Sequence, residues 1–188
     1  LCIKSDFSSK KSIDNLFLKI KKKFNNLDVL INNAGCTMYL DKNLDKYSEM
    51  IVDELININF KSIFYCIKNA SKIMNGENNI IINIASTAGI NGIGSNIIYS
   101  ASKAAVINMT KSFSRILGPK IRVNAIAPGL TESKLTDKAP LEYIKYQKNL
   151  GPIKRLCYPF DISTLAIYLS DHLTYINGET IILDGGKV

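Results

Sequence analysis

Three short apolar runs, at residues 27–31, 80–85 and 121–125, alternate along this chain with much longer stretches of helical periodicity. Strands that alternate with helices imply a parallel sheet covered on both faces, because the crossover between parallel strands needs a helix-length connection. A fourth run, at 179–183, lies near the end, and 188 residues with 46% hydrophobic content suffice for one core. The expectation is one α/β domain over residues 1–188.

Between the strands, Ile13, Leu16, Phe17, Ile20 and Phe24 recur at helical spacing across 8–24, with Ser8 or Ser9 as N-cap and lysines opposite. Residues 45–74 hold neither glycine nor proline and repeat Ile51, Leu55, Ile58, Ile63, Ile67 and Met74, which predicts one long helix with room for a kink. A helix over 96–117 is stopped by Gly118-Pro119, and 128–151 reads as a loop bearing a short helix. Pro159 introduces the last helix, at 161–170.

The net charge of +8 comes almost wholly from lysine. Arginine occurs only as Arg115, Arg122 and Arg155, without the clusters or aromatic ladders of nucleic-acid readers, so no nucleic-acid partner is expected. A basic surface still attracts a phosphate-bearing cofactor or an acidic carrier. Cys2, Cys36, Cys66 and Cys157 form no Cys-x-x-Cys pair and are read as free, buried thiols. Lys4 and Asp6 interrupt any signal-like stretch and no run approaches a membrane span, so a soluble protein of the cytoplasm, or of an organelle stroma or matrix, is expected.

The chemistry-bearing pattern is Ser86 at the end of the second apolar run, then Tyr99, then Lys103 four residues on. Positions i and i+4 share a helix face, so a phenol and an ammonium can aim at one small volume. Alone, Tyr-x-x-x-Lys is common surface decoration. Here it is preceded by Asn32-Asn33-Ala34-Gly35 at a strand end and followed by Asn124-x-x-x-Pro128-Gly129 after another strand.

In that order, together with Asn59 and the closing Gly178-Glu179 and Asp184-Gly185-Gly186, these residues resemble the short-chain dehydrogenase/reductases, in particular their 3-oxoacyl-[acyl-carrier-protein] reductase branch. The resemblance runs from about Asp6 to the C-terminus. It implies a Rossmann-type, doubly wound sheet and hydride exchange between NADP or NAD and a carbonyl or secondary alcohol, with NADP favoured. By the same resemblance Tyr99 is the general acid/base and Ser86 orients the substrate. Lys103 tunes the phenol and binds the nicotinamide ribose, and Asn59, preferred over Asn57, holds a proton-relay water. Asn32, Ala34 and Gly35 match the loop beside the adenosine ribose, Asp6 and Phe7 the adenine contact, and Pro128, Gly129, Thr131 and Ser133 the loop at the nicotinamide amide. For Asp6 a turn or capping role is an equal alternative.

A carbonyl that receives hydride develops negative charge on oxygen and needs a proton from a nearby acid. Bringing a phenol from about 10 to near neutral takes roughly 4 kcal/mol, which an ammonium about 4 Å away supplies at an effective dielectric near 20. No metal is required. The three-residue gap between Tyr99 and Lys103 disfavours enoyl reduction relative to keto reduction within the same superfamily. Substrates to expect by the resemblance are a 3-oxoacyl thioester, with acyl carrier protein as partner, or alternatively a hydroxysteroid or sugar alcohol, with Leu135, Leu141, Tyr143, Tyr146 and Leu150 forming an apolar lid. Lys120 matches one basic anchor for the carrier, while Glu77 stands where the other would fall. A homodimer or homotetramer is expected by resemblance. A catalytically silent relative is the remaining alternative.

The resemblance also implies parts that this sequence does not contain: two strands and the glycine loop that holds the pyrophosphate. The expectation is that residues 1–4 are the tail of a third strand, that the 27–31 strand lacks one neighbour, and that ~50 further residues complete the protein. These 188 residues alone are expected to bind the cofactor weakly or not at all.

Overall fold

The structure is a computed structural model and describes residues 1–40 and 43–188. Four strands, β1 (Val29–Asn32), β2 (Asn79–Ile84), β3 (Ile121–Pro128) and β4 (Thr180–Leu183), form one sheet in the order β1-β2-β3-β4, every pair parallel. The register sets Asn32 beside Asn83 and Asn83 beside Ala125, so the carboxyl ends of the strands line up along one edge.

Alternation in β2 assigns its side chains to two cores. Ile81 and Ala85 face a large cluster built with helices α1 (Lys10–Lys23), α3 (Ser62–Ala70) and α5 (Ile97–Leu117). Ile80 and Ile82 face a smaller one, closed by Ala166 and Leu169 of α7 (Pro159–Asp171). A central strand covered on both faces must be apolar nearly throughout, which is why this run reads as isoleucine. Arg122 holds the far end of α7 by donating to the carbonyls of Leu169, Ser170, Leu173 and Ile176.

Several sequence expectations are corrected. The long helix expected over 45–74 is divided into α2 (Glu49–Ile56), a wide π turn (Asn57–Lys61) and α3. A four-residue helix, α4 (Ala88–Asn91), follows Ser86, ended by left-handed Gly92. Residues 1–4 join no ladder and, as expected, β1 pairs only with β2 among the described residues, leaving Ile31 47% exposed. Of the four thiols only Cys66 is buried; Cys2 is exposed. The remaining helix, α6 (Leu141–Leu150), follows β3 and carries Leu141, Tyr146 and Leu150 exposed. Among the described residues, no helix is long and apolar enough to cross a membrane.

Candidate active site

Ser86 stands just past β2, where sheet pairing still holds the backbone: Ala85 N–H donates to Ile126 at 2.8 Å and Thr87 N–H to Pro128 at 3.0 Å. The Ser86 hydroxyl oxygen accepts from Ala88 N–H at 3.1 Å, which anchors α4 and leaves the hydroxyl proton free to turn elsewhere. Opposite it, Asn96 caps α5 by accepting from Tyr99 N–H at 2.7 Å and donates to the Met38 carbonyl at the same distance. The cap fixes where the helix begins, and so where Tyr99 lies. The Ser86 hydroxyl faces the Tyr99 phenol closely enough to lower its pKa.

Lys103, one turn beyond Tyr99, is 4% exposed and its Nζ donates to the Ile84 carbonyl at 2.7 Å. Nζ lies 5.8 Å from the centre of the Tyr99 ring. Burial lowers the ammonium to about 8. Burial raises the Tyr99 phenol; the Ser86 hydroxyl pulls it down, and neighbouring Cys36 and Tyr143 push it up. The expected drop of the phenol toward neutrality under Lys103 is therefore not what the folded chain displays: lost hydration of the phenolate outweighs the stabilising contacts. Tyr39 is similarly raised by burial and by Tyr143 and Tyr99, which puts three phenols around the site mouth.

Asn59, fully buried in the π turn, uses its amide on the backbone of Cys36, accepting from its N–H and donating to its carbonyl, both at 2.9 Å. This clamp draws the loop after β1 against the π turn between α2 and α3. A Cβ on Gly35 would lie 3.2 Å from Asn59 Oδ1 and 3.7 Å from Lys103 Nζ, so the bare glycine backbone forms one wall beside the ammonium.

The other predicted site residues divide into those at the sheet's carboxyl edge and those engaged elsewhere. Gly129 N–H donates to the Leu183 carbonyl at 3.0 Å, and the Thr131 hydroxyl donates back to Gly129 at 3.0 Å. Pro128 ends β3, while Ser133 is exposed and its hydroxyl accepts from Thr136 N–H at 3.4 Å. Ala34 and Phe7 line the same apolar cleft beside β1. Asp6 makes a turn, its carboxylate accepting from Ser8 N–H at 2.9 Å and the Ser8 hydroxyl at 2.7 Å, contacts that hold its pKa below the ordinary value. Asn32 is 8% exposed and its amide donates to Asn83 rather than outward.

The nicotinamide end of a dinucleotide fits this edge. Lys103 carries three ammonium protons with one hydrogen bond among the described residues, and the side facing it is a glycine without a Cβ. The pyrophosphate has no glycine loop among these residues. Gly89 and Gly94, which sequence reasoning passes over, let the Ser86 turn meet α5: a Cβ at Gly94 would lie 2.5 Å from Ser100 Oγ and 3.3 Å from the Tyr99 ring. Their signal is position, two of the three glycines in the short connection between Ser86 and Tyr99.

The family model described as "Enoyl-(Acyl carrier protein) reductase" matches residues 1–187. The 3-oxoacyl-[acyl-carrier-protein] reductase FabG of Thermotoga maritima is 37% identical over 173 residues, 90% of this chain and 70% of that protein. A 3alpha-hydroxysteroid dehydrogenase of Mediterraneibacter gnavus is 35% identical over 170 residues, 89% of this chain and 67% of that protein. Among solved structures, a short-chain dehydrogenase/reductase (glucose/ribitol dehydrogenase) of Brucella melitensis superposes with a TM-score of 0.92 at 31% identity, covering 99% of this chain and 75% of that one. With a family match over nearly its full length and relatives above 30% identity, the chain belongs to the short-chain dehydrogenase/reductase family.

Proposed function

We propose that this protein is a keto reductase in which Tyr99 protonates a carbonyl oxygen held by Ser86, with 3-oxoacyl thioesters as substrates. The observation that carries the reading is the meeting of Ser86, Tyr99 and Lys103 where β2 ends, with Lys103 Nζ anchored on the Ile84 carbonyl, 5.8 Å from the centre of the Tyr99 ring. When bound, NADPH or NADH supplies hydride to the carbonyl carbon. Tyr99 gives its proton to the carbonyl oxygen and recovers one from solvent. Ser86 donates a hydrogen bond to the same oxygen, and Lys103 offers its free ammonium protons to the nicotinamide ribose.

A raised Tyr99 suits this direction. The acid must carry its proton at working pH, and burial keeps it there. The reverse reaction needs the phenolate, so alcohol oxidation belongs to alkaline solution. The relay assigned to Asn59 uses the amide hydrogen and lone pair that remain after its two bonds to Cys36.

The acyl thioester is favoured by the FabG relatives, by the short Tyr99-x-x-x-Lys103 gap, and by half-buried Tyr39 and Tyr143 near Tyr99, with exposed apolar α6 adjoining. In this reading the acyl group arrives on a carrier protein, NADP is preferred to NAD, the protein works as a homodimer or homotetramer, and it is soluble in cytoplasm, stroma or matrix. Pro128, Gly129, Thr131 and Ser133 meet the nicotinamide side, while Gly35, Ala34, Asp6 and Phe7 bound the adenosine side. With the full-length protein, loss of absorbance at 340 nm with NADPH and a short 3-oxoacyl thioester is expected, and Tyr99→Phe is expected to remove it while leaving cofactor affinity nearly unchanged. Turnover of a 3-oxosteroid instead of the thioester would move the assignment to the hydroxysteroid dehydrogenase reading that the second relative supports.

A further inference from the structure

The core between the sheet and α5 contains a chain of polar groups that no step of the proposed chemistry uses. Asn83 lies on the apolar face of β2, on the same side as Ile81 and Ala85, and is fully buried. Its carboxamide oxygen accepts from Asn32 Nδ2 at 2.8 Å and its nitrogen donates to Thr110 Oγ1 at 3.0 Å. The Thr110 hydroxyl, also fully buried, donates to the Val106 carbonyl at 2.8 Å. Each member has a partner, and the two bonds in opposite senses leave the Asn83 amide one orientation.

Three leucine-like side chains would fill this volume without the desolvation cost of two amides and a hydroxyl. What apolar packing would lack is a fixed register. Thr110 lies seven residues beyond Lys103, two turns along the same face of α5. The carboxyl end of β2 then holds that helix at three levels: Asn83 holds Thr110, Ile84 accepts from Lys103, and Ser86, just beyond, faces Tyr99. A slip of α5 by one residue moves it about 1.5 Å, enough to break a hydrogen bond but small enough for methyl groups to absorb.

We propose that Asn83 and Thr110, with Asn32 orienting the Asn83 amide, are positioning residues that hold α5 in the register bringing Tyr99 and Lys103 to Ser86. The proposal rests on the keto-reductase reading for its kinetic consequence but not for its structural one. Asn32 thereby acts in the interior, in place of the cofactor contact that the family resemblance implies for it.

The test is the titration of Lys103, followed by carbon NMR of lysine labelled at Cε and assigned by Lys103→Met, in the wild type and in Thr110→Val, Thr110→Ser and Asn32→Ala. The ammonium is held near 8 by burial against Ile84, among Cys36 and Tyr99. In Thr110→Val a loosened helix is expected to move that midpoint upward, toward the ordinary 10.5, and to cut kcat about tenfold with KM nearly unchanged. Thr110→Ser, which keeps the hydroxyl, is expected to restore both, and Asn32→Ala to give a smaller shift in the same direction. If Thr110→Val does not fold, Asn32→Ala decides alone. A folded variant that loses thermal stability while its Lys103 midpoint stays at the wild-type value overturns the proposal. A wild type that reduces no carbonyl overturns the keto-reductase reading and leaves the titration result standing.

Discussion

Gly89 sits against the backbone of Lys103: a Cβ there would fall 2.5 Å from the lysine carbonyl carbon and 2.6 Å from Ala104 N. The turn that carries Ser86 is thus packed directly on the helix that carries Tyr99 and Lys103, and neither backbone has a flexible side chain to yield. Gly89→Ala must separate them. The expected result is a loss of about 1–3 kcal/mol in urea unfolding, as for other overpacked cores, together with a fall in turnover of more than tenfold. A variant as active as wild type would show that the turn tolerates displacement.

Ser86 is the group that stabilises the Tyr99 phenolate most directly, since its hydroxyl opposes the rise that burial imposes on that phenol. Removing it in Ser86→Ala leaves burial opposed by less, so the phenol rises further. Two consequences follow for the pH profile. The alkaline onset of alcohol oxidation, which needs the phenolate, is expected to move to higher pH. Carbonyl reduction at neutral pH is expected to drop by about 10²–10³ through the lost oxygen contact. Steady-state rates in both directions across pH 6–11 check both.

The clamp between Asn59 and Cys36 holds the loop after β1 with two part-buried hydrogen bonds. Asn59→Ala strands a backbone N–H and a carbonyl at once, and for part-buried groups each loss costs about 1–2 kcal/mol, the lower part of the range for buried ones. A destabilisation of about 2–4 kcal/mol by urea titration is expected. Replacement by glutamine, one methylene longer, is expected to recover little, because the π turn leaves no room around a side chain with no exposure.

How much of this is legible in the residues depends on the range of the forces involved. Apolar runs place the strands nearly to the residue, because burial on two faces writes itself into composition; β3 runs on to Pro128 because Ala125, Ile126 and Ala127 continue the run. The cap at Asn96 and the helix from Ile97 to Leu117 are local and equally visible. The π turn is different: nothing within residues 57–61 distinguishes it from helix, since the partner of Asn59 is Cys36, far away in the chain. Four-residue α4 is too short to have a period. The polar chain has one visible sign, an asparagine inside an isoleucine run at 81–84, but its partner Thr110 looks like any helical threonine. The Ser86, Tyr99 and Lys103 spacing is legible, whereas the desolvation that raises the phenol is a property of the assembled core.

Lys103 carries a stability cost that its removal should expose. Its folded-state pKa of about 8 lies below the ordinary 10.5, so between these values the unfolded chain binds a proton that the folded chain has released. Stability therefore rises with pH across that window, and below pH 8 the full cost of burying the charge is present. The gap corresponds to about 3 kcal/mol. Lys103→Met fills similar volume without the charge and forfeits the hydrogen bond to Ile84, about 1 kcal/mol. The variant is expected to be more stable than wild type by about 2 kcal/mol at pH 7, and to lose that advantage at a pH above 10.5, where the wild-type amine is neutral in both states. Its turnover should fall sharply below pH 8, where the wild type carries the ammonium that the variant lacks. Urea unfolding of both proteins at the two pH values measures the difference, and an advantage that is the same at both would show that burial of the charge is not its source.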